Sequence, residues 1–138
     1  MQNQTYTHVT TLSEKHIPQL QALYKREWWT MDRAEADIRL MLKNSDLVLG
    51  LLDQKENLVG FARVLTDFVF KALILDVIVD PDHRNRQLGL RLMNLLAAEL
   101  SGVNHLELYC LPQMIPFYQR WGFTEKLGDL TFMRAEVT

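Results

Sequence analysis

The stretch Leu73–Leu100, LILDVIVDPDHRNRQLGLRLMNLLAAEL, decides the fold of this chain. Its apolar start predicts a strand over 73–79, and a turn over 80–83 follows that strand. A polar, basic loop that contains Gly89 then leads into a helix predicted to begin at Leu90. A strand, a basic loop and a helix in this order are typical of an anion site, because the loop N–H groups and the positive end of the helix dipole point at one place.

The loop carries two arginines and a glycine whose spacing resembles a known motif. Arg84 and Arg86 add positive charges with several hydrogen-bond donors each. The spacing Arg84-x-x-Gln87-x-Gly89 resembles the Arg/Gln-x-x-Gly-x-Gly/Ala signature of the GNAT superfamily of N-acetyltransferases, in which the loop wraps the pyrophosphate of acetyl-coenzyme A. Gln87 replaces the first glycine, and it can still offer its N–H if its backbone angles are helical. The resemblance implies acetyl-CoA binding by Val77, Ile78, Val79, Arg84, Asn85, Arg86, Gln87, Leu88, Gly89 and Leu90.

Length, composition and net charge limit the classes of protein to which this chain can belong. A chain of 138 residues is predicted to form one domain, 1–138, and its 48% apolar and 23% charged residues are typical of a globular protein. The net charge of -2 argues against binding to nucleic acid. No run approaches the roughly 18 apolar residues of a membrane span, and no signal peptide is visible, so a cytoplasmic protein without a membrane partner is predicted.

The order of the predicted elements, β-α-α-β-β-β-α-β-α-β-β, also resembles the GNAT fold. This is an α/β (α+β) architecture with a mixed, mostly antiparallel sheet of six to seven strands, four helices and a central βαβ unit. The predicted strands are Gln4–Val9, Leu47–Leu52, Leu58–Thr66, Leu73–Val79, His105–Cys110, Phe123–Lys126 and Leu130–Val137. The helices are predicted from Glu14, capped by Ser13, over Arg33–Lys43, capped by Asp32, over Leu90–Leu100 and over Pro112–Trp121.

The segment Phe117–Phe123 carries a second resemblance to the family. It contains the Tyr-x-x-x-Gly-Phe motif that GNAT proteins often have at this place, with Tyr118 as the tyrosine. In the family, the tyrosine hydroxyl stands near the thioester sulfur and can protonate the departing thiolate, which implies a catalytic role for Tyr118. The alternative is that Tyr118 is a half-buried aromatic residue of the core.

Asp76 is an acid within an otherwise apolar strand, where an unpaired carboxylate costs several kcal/mol. Strand alternation predicts that its side chain shares a face with Ile74 and Ile78. Asp76 is interpreted either as a general base or as a contact for the substrate ammonium. The alternative is a structural ion pair, for instance with Arg63 on the neighbouring strand.

The junction of the first two helices carries the candidate acceptor site. The resemblance to the GNAT fold implies that this junction, with Trp28, Trp29 and Arg33, overhangs the acceptor site. Two adjacent tryptophans cannot both face one core, so one of them is expected to be exposed or to line a pocket. A tryptophan can pack on an amine through a cation–π contact, although a core role for at least one of them stays open. Cys110 is expected to be an inert core thiol. The four histidines show no metal-ligand spacing, so no metal is predicted.

Together these observations favour an acetyl-CoA-dependent N-acetyltransferase that transfers an acetyl group directly to a primary amine of a small molecule or peptide. A backbone N–H near Val77–Val79 would polarise the thioester carbonyl, and the same strand would hold the pantetheine arm. The competing interpretation is a non-catalytic sensor or partner module of the same fold that binds coenzyme A or an acyl-CoA. A homodimer is left open.

Overall fold

The computed structural model describes residues 5–137 and shows a five-stranded sheet with helices on both faces. The sheet order follows the chain order, β1-β2-β3-β4-β5. The strands are β1 (Thr7–Val9), β2 (Leu47–Leu52), β3 (Leu58–Thr66), β4 (Lys71–Val79) and β5 (His105–Leu108). The helices are α1 (His16–Lys25), α2 (Glu35–Asn44), α3 (Leu88–Glu99) and α4 (Ile115–Gln119), and short 3₁₀ turns cover Pro81–His83 and Pro112–Met114.

The predicted βαβ unit is confirmed, because β4 and β5 pair in parallel and α3 connects them. Their register runs from Lys71 opposite His105 to Ile74 opposite Leu108. The rest of β4, from Leu75 to Val79, continues beyond the end of β5. On that side, no strand within residues 5–137 pairs with it. The two parallel strands therefore part, and a stretch of backbone N–H and C=O groups is left open at this edge.

The sheet separates two apolar cores. On one face, α3 packs Leu92 and Leu96 against strand residues such as Ile74. On the other face, α1 and α2 pack against residues of β3 and β4 that include Phe61 and Ile78. Burying one such side chain contributes about 1.5–3 kcal/mol, so both layers fix the sheet in place.

A β-bulge interrupts β4 at the residue that the sequence singled out. The register with β3 shifts between Phe61, which faces Ile78, and Arg63, which faces Leu75, so β4 has one residue too many. Asp76 lies in this bulge with a φ of 55°. The extra residue shifts the alternation by one position. Asp76 contacts Tyr24 of α1 and so lies on the same side of the sheet as Ile78, whereas Ile74 packs on the α3 side. The prediction that Asp76 and Ile74 share a face is therefore wrong.

The predicted sheet of six to seven strands is also wrong in its count. Within residues 5–137, neither Phe123–Lys126 nor Leu130–Val137 forms a strand, and Leu130 and Met133 are 73% and 87% exposed. Alternating apolar residues predict which face of a strand is buried, but a strand forms only where a neighbouring backbone offers hydrogen bonds. β5, with four residues, provides no pairing for this segment. Gln4 of the predicted first strand lies outside the described residues.

The four predicted helices are present, but two predicted caps are wrong. Ser13 precedes an additional turn, in which its carbonyl oxygen accepts a hydrogen bond from the N–H of His16, the first residue of α1. Ala34, rather than Asp32, stands at the N-cap of α2. A side chain caps a helix only if the backbone beside it turns into the helix there, and the residue type alone does not determine this.

The residue before α3 has an unfavourable backbone conformation. Gln87 occupies the N-cap of α3 with φ 60° and ψ 28°, so its backbone is left-handed rather than helical. A side chain in this region costs about 1–2 kcal/mol, whereas glycine adopts it freely. The left-handed turn is the feature that the glycine of the family signature would supply.

We expect Gln87→Gly to raise the free energy of unfolding by about 0.5–1 kcal/mol, because the relief of the left-handed backbone exceeds the entropy that glycine adds to the unfolded chain. Urea denaturation monitored by circular dichroism measures the change. Gln87→Ala is the matched control, since alanine removes the side chain and keeps the strain. An equal gain from alanine would show that the side chain of Gln87, and not its backbone, is unfavourable.

Candidate active site

A cleft of about 1300 Å³ opens where β4 and β5 part. Its walls are the end of β4, the segment that follows β5, the start of α3, and the segment between α1 and α2. The cleft brings together most of the residues predicted from the sequence. These are Trp28, Trp29, Arg33, Asp76, Val77, Ile78, Val79, Arg84, Asn85, Gln87, Leu88, Gly89, Leu90 and Tyr118.

One predicted cofactor residue lies outside this set. Arg86 is exposed and is not among the residues that line the cleft. Ile78 lines the cleft, but its side chain is buried in the core beneath α1, so the strand backbone is what it can offer to a ligand.

The N-terminus of α3 forms one end of the cleft. The N–H groups of Leu88, Gly89 and Leu90 are the first of the helix and have no intrahelical acceptor, while the N–H of Arg91 donates to the carbonyl oxygen of Gln87 at 3.0 Å. A Cβ atom on Gly89 would lie 3.4 Å from the ring of Phe117. The helix thus presents free N–H donors to the cleft, a geometry suited to phosphate.

Arginine side chains connect this end of the cleft to the end of α1. Arg84 forms an ion pair with Glu27 at 3.7 Å, and Arg26 contacts Asp80 at 3.1 Å. Arg84 is more than half exposed, and exposed pairs contribute about 0–1 kcal/mol, so a phosphate can exchange for Glu27 at little cost.

Asp76 stands at the centre of a hydrogen-bonded cluster. Its Oδ2 accepts hydrogen bonds from Arg33 Nη1 at 2.6 Å, from Arg63 Nε at 2.7 Å and from the hydroxyl of Tyr24 at 3.0 Å. The guanidinium of Arg33 also lies 4.6 Å from the centre of the Tyr24 ring. The cluster joins α1, the segment before α2, β3 and the bulge of β4.

The cluster sets the ionisation of the acid. Burial alone would raise the pKa of the Asp76 carboxyl, but the hydrogen bonds and charges of Arg33 and Arg63 outweigh burial and hold this pKa below its ordinary value. Burial and the charge of Asp76 raise the pKa of Tyr24. Asp76 is therefore ionised at neutral pH, and its lowered pKa makes it a weak base.

Tyr118 reaches the cleft from α4. Its side chain is 8% exposed and packs edge-on against Phe117, with the ring centres 5.0 Å apart. Burial, with a smaller effect of Cys110, raises the pKa of Tyr118 to about 12. The hydroxyl is consequently protonated at neutral pH and can donate a proton or a hydrogen bond.

Both tryptophans line the cleft and neither belongs to the core. Trp28 is 73% exposed and Trp29 is 45% exposed, and their rings meet edge to face with centres 5.7 Å apart. The nearby Thr30 is buried and donates its hydroxyl to the carbonyl oxygen of Tyr24 at 2.7 Å, which holds the segment at the end of α1.

The sequence missed several residues of the cleft. Tyr24, which donates to Asp76 but does not itself line the cleft, carries no motif signal. Cys110, expected in the core, is exposed and lines the cleft, because β5 ends two residues before it. Arg120 and Arg134 also line the cleft. Arg120 stands at an unspecified position of the Tyr-x-x-x-Gly-Phe motif, and Arg134 lies beyond both motifs in the sequence.

The charges of the cleft favour an anionic ligand. Five arginines and two carboxylates line it, in a protein whose net charge is -2. Within residues 5–137, no group of three or more metal-ligating side chains occurs, and none of the helices is long and apolar enough to cross a bilayer.

An α/β protein with a splayed parallel pair and a helix N-terminus facing an electropositive cleft is typical of enzymes that bind a phosphorylated cofactor. A sequence model of the acetyltransferase (GNAT) family matches residues 11–123. The chain therefore belongs to the GNAT family of acetyltransferases.

Relatives and solved structures agree with this family. The chain is 36% identical over 110 residues to GCN5-related N-acetyltransferase 1, chloroplastic, from Arabidopsis thaliana. It is also 36% identical over 112 residues to serotonin N-acetyltransferase 2, chloroplastic, from Oryza sativa. Each match covers 75% of this chain and 56% of the relative. The chain spans about half the length of the curated relatives it matches. A GNAT-family crystal structure from Xanthomonas campestris has a TM-score of 0.82 and 28% identity, over 96% of this chain and 94% of that one. The chloroplastic relatives leave the cytoplasmic location unconfirmed.

We expect Asp76→Asn to lower the free energy of unfolding by about 2–3 kcal/mol at pH 7, because the substitution leaves two arginines without their charged acceptor. Asparagine tolerates the left-handed backbone of this position as aspartate does, so the change tests the charge alone. Urea denaturation measures the difference, and Asp129→Asn on the exposed C-terminal segment should stay within about 0.5 kcal/mol of the wild type.

The pH dependence follows from the lowered pKa of Asp76. The unfolded carboxyl binds a proton near pH ~3.9 and the folded one only at lower pH, so this stabilisation is present above that value and is lost as the pH falls through the folded pKa. Asp76→Asn should lack this part of the acid dependence. Identical acid unfolding of the two proteins would contradict the ion-pair cluster.

Proposed function

We propose that the protein transfers the acetyl group of acetyl-CoA directly to a primary amine of a small molecule or peptide. The observation that carries the proposal is the cleft itself, which brings together the free N–H groups at the start of α3, the unpaired edge of β4 and the side chain of Tyr118. A phosphorylated thioester needs these three features: an anion site, a hydrogen-bonding strand and a proton donor for the sulfur.

The cofactor would be held mainly by backbone groups. The N–H groups at the start of α3 and the side chain of Arg84 would bind the pyrophosphate. The open edge of β4 from Leu75 to Val79 would pair with the amides of the pantetheine arm, as an added strand does. The same edge would place a backbone N–H of Val77–Val79 at the thioester carbonyl oxygen, where negative charge develops.

The reaction replaces the C–S bond with a C–N bond, while nitrogen loses one proton and sulfur gains one. The lone pair of the neutral amine attacks the carbonyl carbon, the C–N bond forms and the C–S bond breaks. Tyr118 gives its phenolic proton to the sulfur and is reprotonated by water, while the proton lost by the amine leaves to solvent. The lowered pKa of Asp76 argues against a role as general base and favours a role in holding the amine or the surrounding side chains.

The names of the relatives support an amine as the acceptor. Both are named N-acetyltransferases, and the name of one of them includes the amine serotonin. The exposed rings of Trp28 and Trp29 at the mouth of the cleft suit an amine with an aromatic or apolar body. The cytoplasmic location and the homodimer stay predictions.

We expect acetyl-CoA to raise the melting temperature, since a ligand at 100 times its dissociation constant adds about 2.7 kcal/mol to the stability of the folded state. Gly89→Glu should abolish this shift, because it places a side chain and a negative charge at the helix N-terminus. Gly102→Glu is the matched control, as a Cβ atom there meets nothing within 4 Å and the residue lies outside the cleft. A shift of equal size in both variants would contradict the phosphate site.

Thiol release from acetyl-CoA in the presence of an amine panel then separates the two candidate functions. Acetyl-CoA binding with thiol release and an N-acetylated product supports the enzyme. Binding without release with any amine would favour the non-catalytic coenzyme A module.

Tyr118→Phe should lower kcat for an active amine and leave the dissociation constant of acetyl-CoA nearly unchanged. The ring keeps its packing, and only the hydroxyl is lost. General acid catalysis contributes about 10²- to 10⁴-fold, and a thiolate is a fair leaving group, so a loss near the lower end is expected. Steady-state kinetics measure it, and an unchanged kcat would show that another group protonates the sulfur.

A further inference from the structure

The cluster around Asp76 carries more positive charge than its hydrogen bonds need. Two guanidinium groups, of Arg33 and Arg63, share a single carboxylate oxygen, so the cluster has a net charge of +1. All three side chains line the cleft. The exposed fractions of the side chains are 31% for Arg33, 14% for Arg63 and 6% for Asp76, so water screens this charge only in part.

Several donors and one acceptor of the cluster are unused by the protein. Nε and Nη2 of Arg33, and both terminal nitrogens of Arg63, donate no hydrogen bond to any residue within 5–137. Oδ1 of Asp76 likewise accepts none from these residues. Among the described residues no buried side-chain nitrogen or oxygen lacks a partner, so these unpaired atoms are open to water. A ligand that brings both an anion and a cation can therefore reach them and take the place of that water.

The cluster stands apart from the phosphate end of the cleft. Asp76 points to the face of the sheet covered by α1 and α2, where its partners Tyr24 and Arg33 lie. The loop of Arg84 and Gly89 leads into α3, which covers the opposite face. The positive charge of the cluster is therefore available to a group other than the cofactor phosphates.

We propose that the acceptor is an amine that also carries an anionic group, a carboxylate or a phosphate, bound by the free N–H groups of Arg33 and Arg63 while Oδ1 of Asp76 faces the ammonium. This inference rests on the acetyl transfer proposed above and specifies its substrate class. A net positive cluster repels an amine whose only charge is its ammonium, and it attracts one whose second group supplies a compensating negative charge. Guanidinium groups suit both anions, because their paired donors match two oxygens of either.

The preference for an amine with an anionic group can be tested with two pairs of amines. Within each pair, the two members differ by one anionic group. The pairs are 5-hydroxytryptophan with serotonin, and O-phosphoethanolamine with ethanolamine, each assayed with saturating acetyl-CoA for thiol release and for the acetylated product. We expect kcat/KM for the anionic member of at least one pair to exceed that of its partner by about tenfold or more, the effect of one or two charge-assisted hydrogen bonds. The pair that responds distinguishes the carboxylate from the phosphate.

Variants assign the preference to the cluster. Arg33→Gln should raise KM for the anionic amine about tenfold or more and bring the two members of the pair to similar kcat/KM, without changing KM for acetyl-CoA. Arg33→Lys, which keeps the charge, should retain most of the preference. Arg39→Gln is the matched control, because Arg39 lies on α2 outside the cleft and pairs with Glu14.

Binding to the wild-type protein also tests whether an anionic group on the amine increases its affinity. Isothermal titration of each amine into the coenzyme A-loaded protein reports binding without turnover, and tighter binding of the anionic member supports the proposal. Equal or weaker binding of both anionic members overturns it, as does a preference that Arg33→Gln leaves intact. If the proposed acetyl transfer is wrong, no thiol is released with any of the four amines, and this result is distinct from a lack of preference in binding.

Discussion

One carboxylate oxygen holds the structure together around the cleft. Oδ2 of Asp76 accepts hydrogen bonds from α1, from the segment before α2 and from β3, at 2.6–3.0 Å. The acid can point there because it lies in a β-bulge with a left-handed φ of 55°, a conformation that aspartate tolerates better than most residues. The bulge, the ion pairs and the position of the α1–α2 segment therefore depend on one another.

The same strand explains why a cleft exists at all. β4 pairs with β5 over four residues and then continues without it, so the parallel pair opens toward the start of α3. An opening between β4 and the edge strand β5 exposes backbone hydrogen-bonding groups that a fully paired strand would satisfy. In the proposed complex these groups would bind the cofactor, with its phosphates at the N-terminus of α3 and its sulfur beside the hydroxyl of Tyr118.

Electrostatics divides the cleft into two positive regions. At the start of α3, charge comes from backbone N–H groups and from Arg84, whose exposed pair with Glu27 is weak. Across the sheet, charge comes from Arg33 and Arg63, which are partly buried and tied to Asp76. The first region is suited to a phosphate that displaces Glu27 from Arg84. In the second region the ion pairs with Asp76 fix the positions of the arginines before a ligand binds.

The sequence by itself determined the family, the βαβ unit, the four helices and about half of the residues that line the cleft. These follow from local patterns: an apolar strand, a basic loop with Gly89, and a tyrosine four residues before Gly122. Only the tertiary structure decided the five-strand sheet, the exposure of Cys110, the left-handed backbone of Gln87, the face on which Asp76 lies, and its shared bond with Arg33, Arg63 and Tyr24. The physical reason is that a bulge, an ion pair and the pairing of a strand are set by contacts between segments far apart in the chain, and local periodicity carries no information about them.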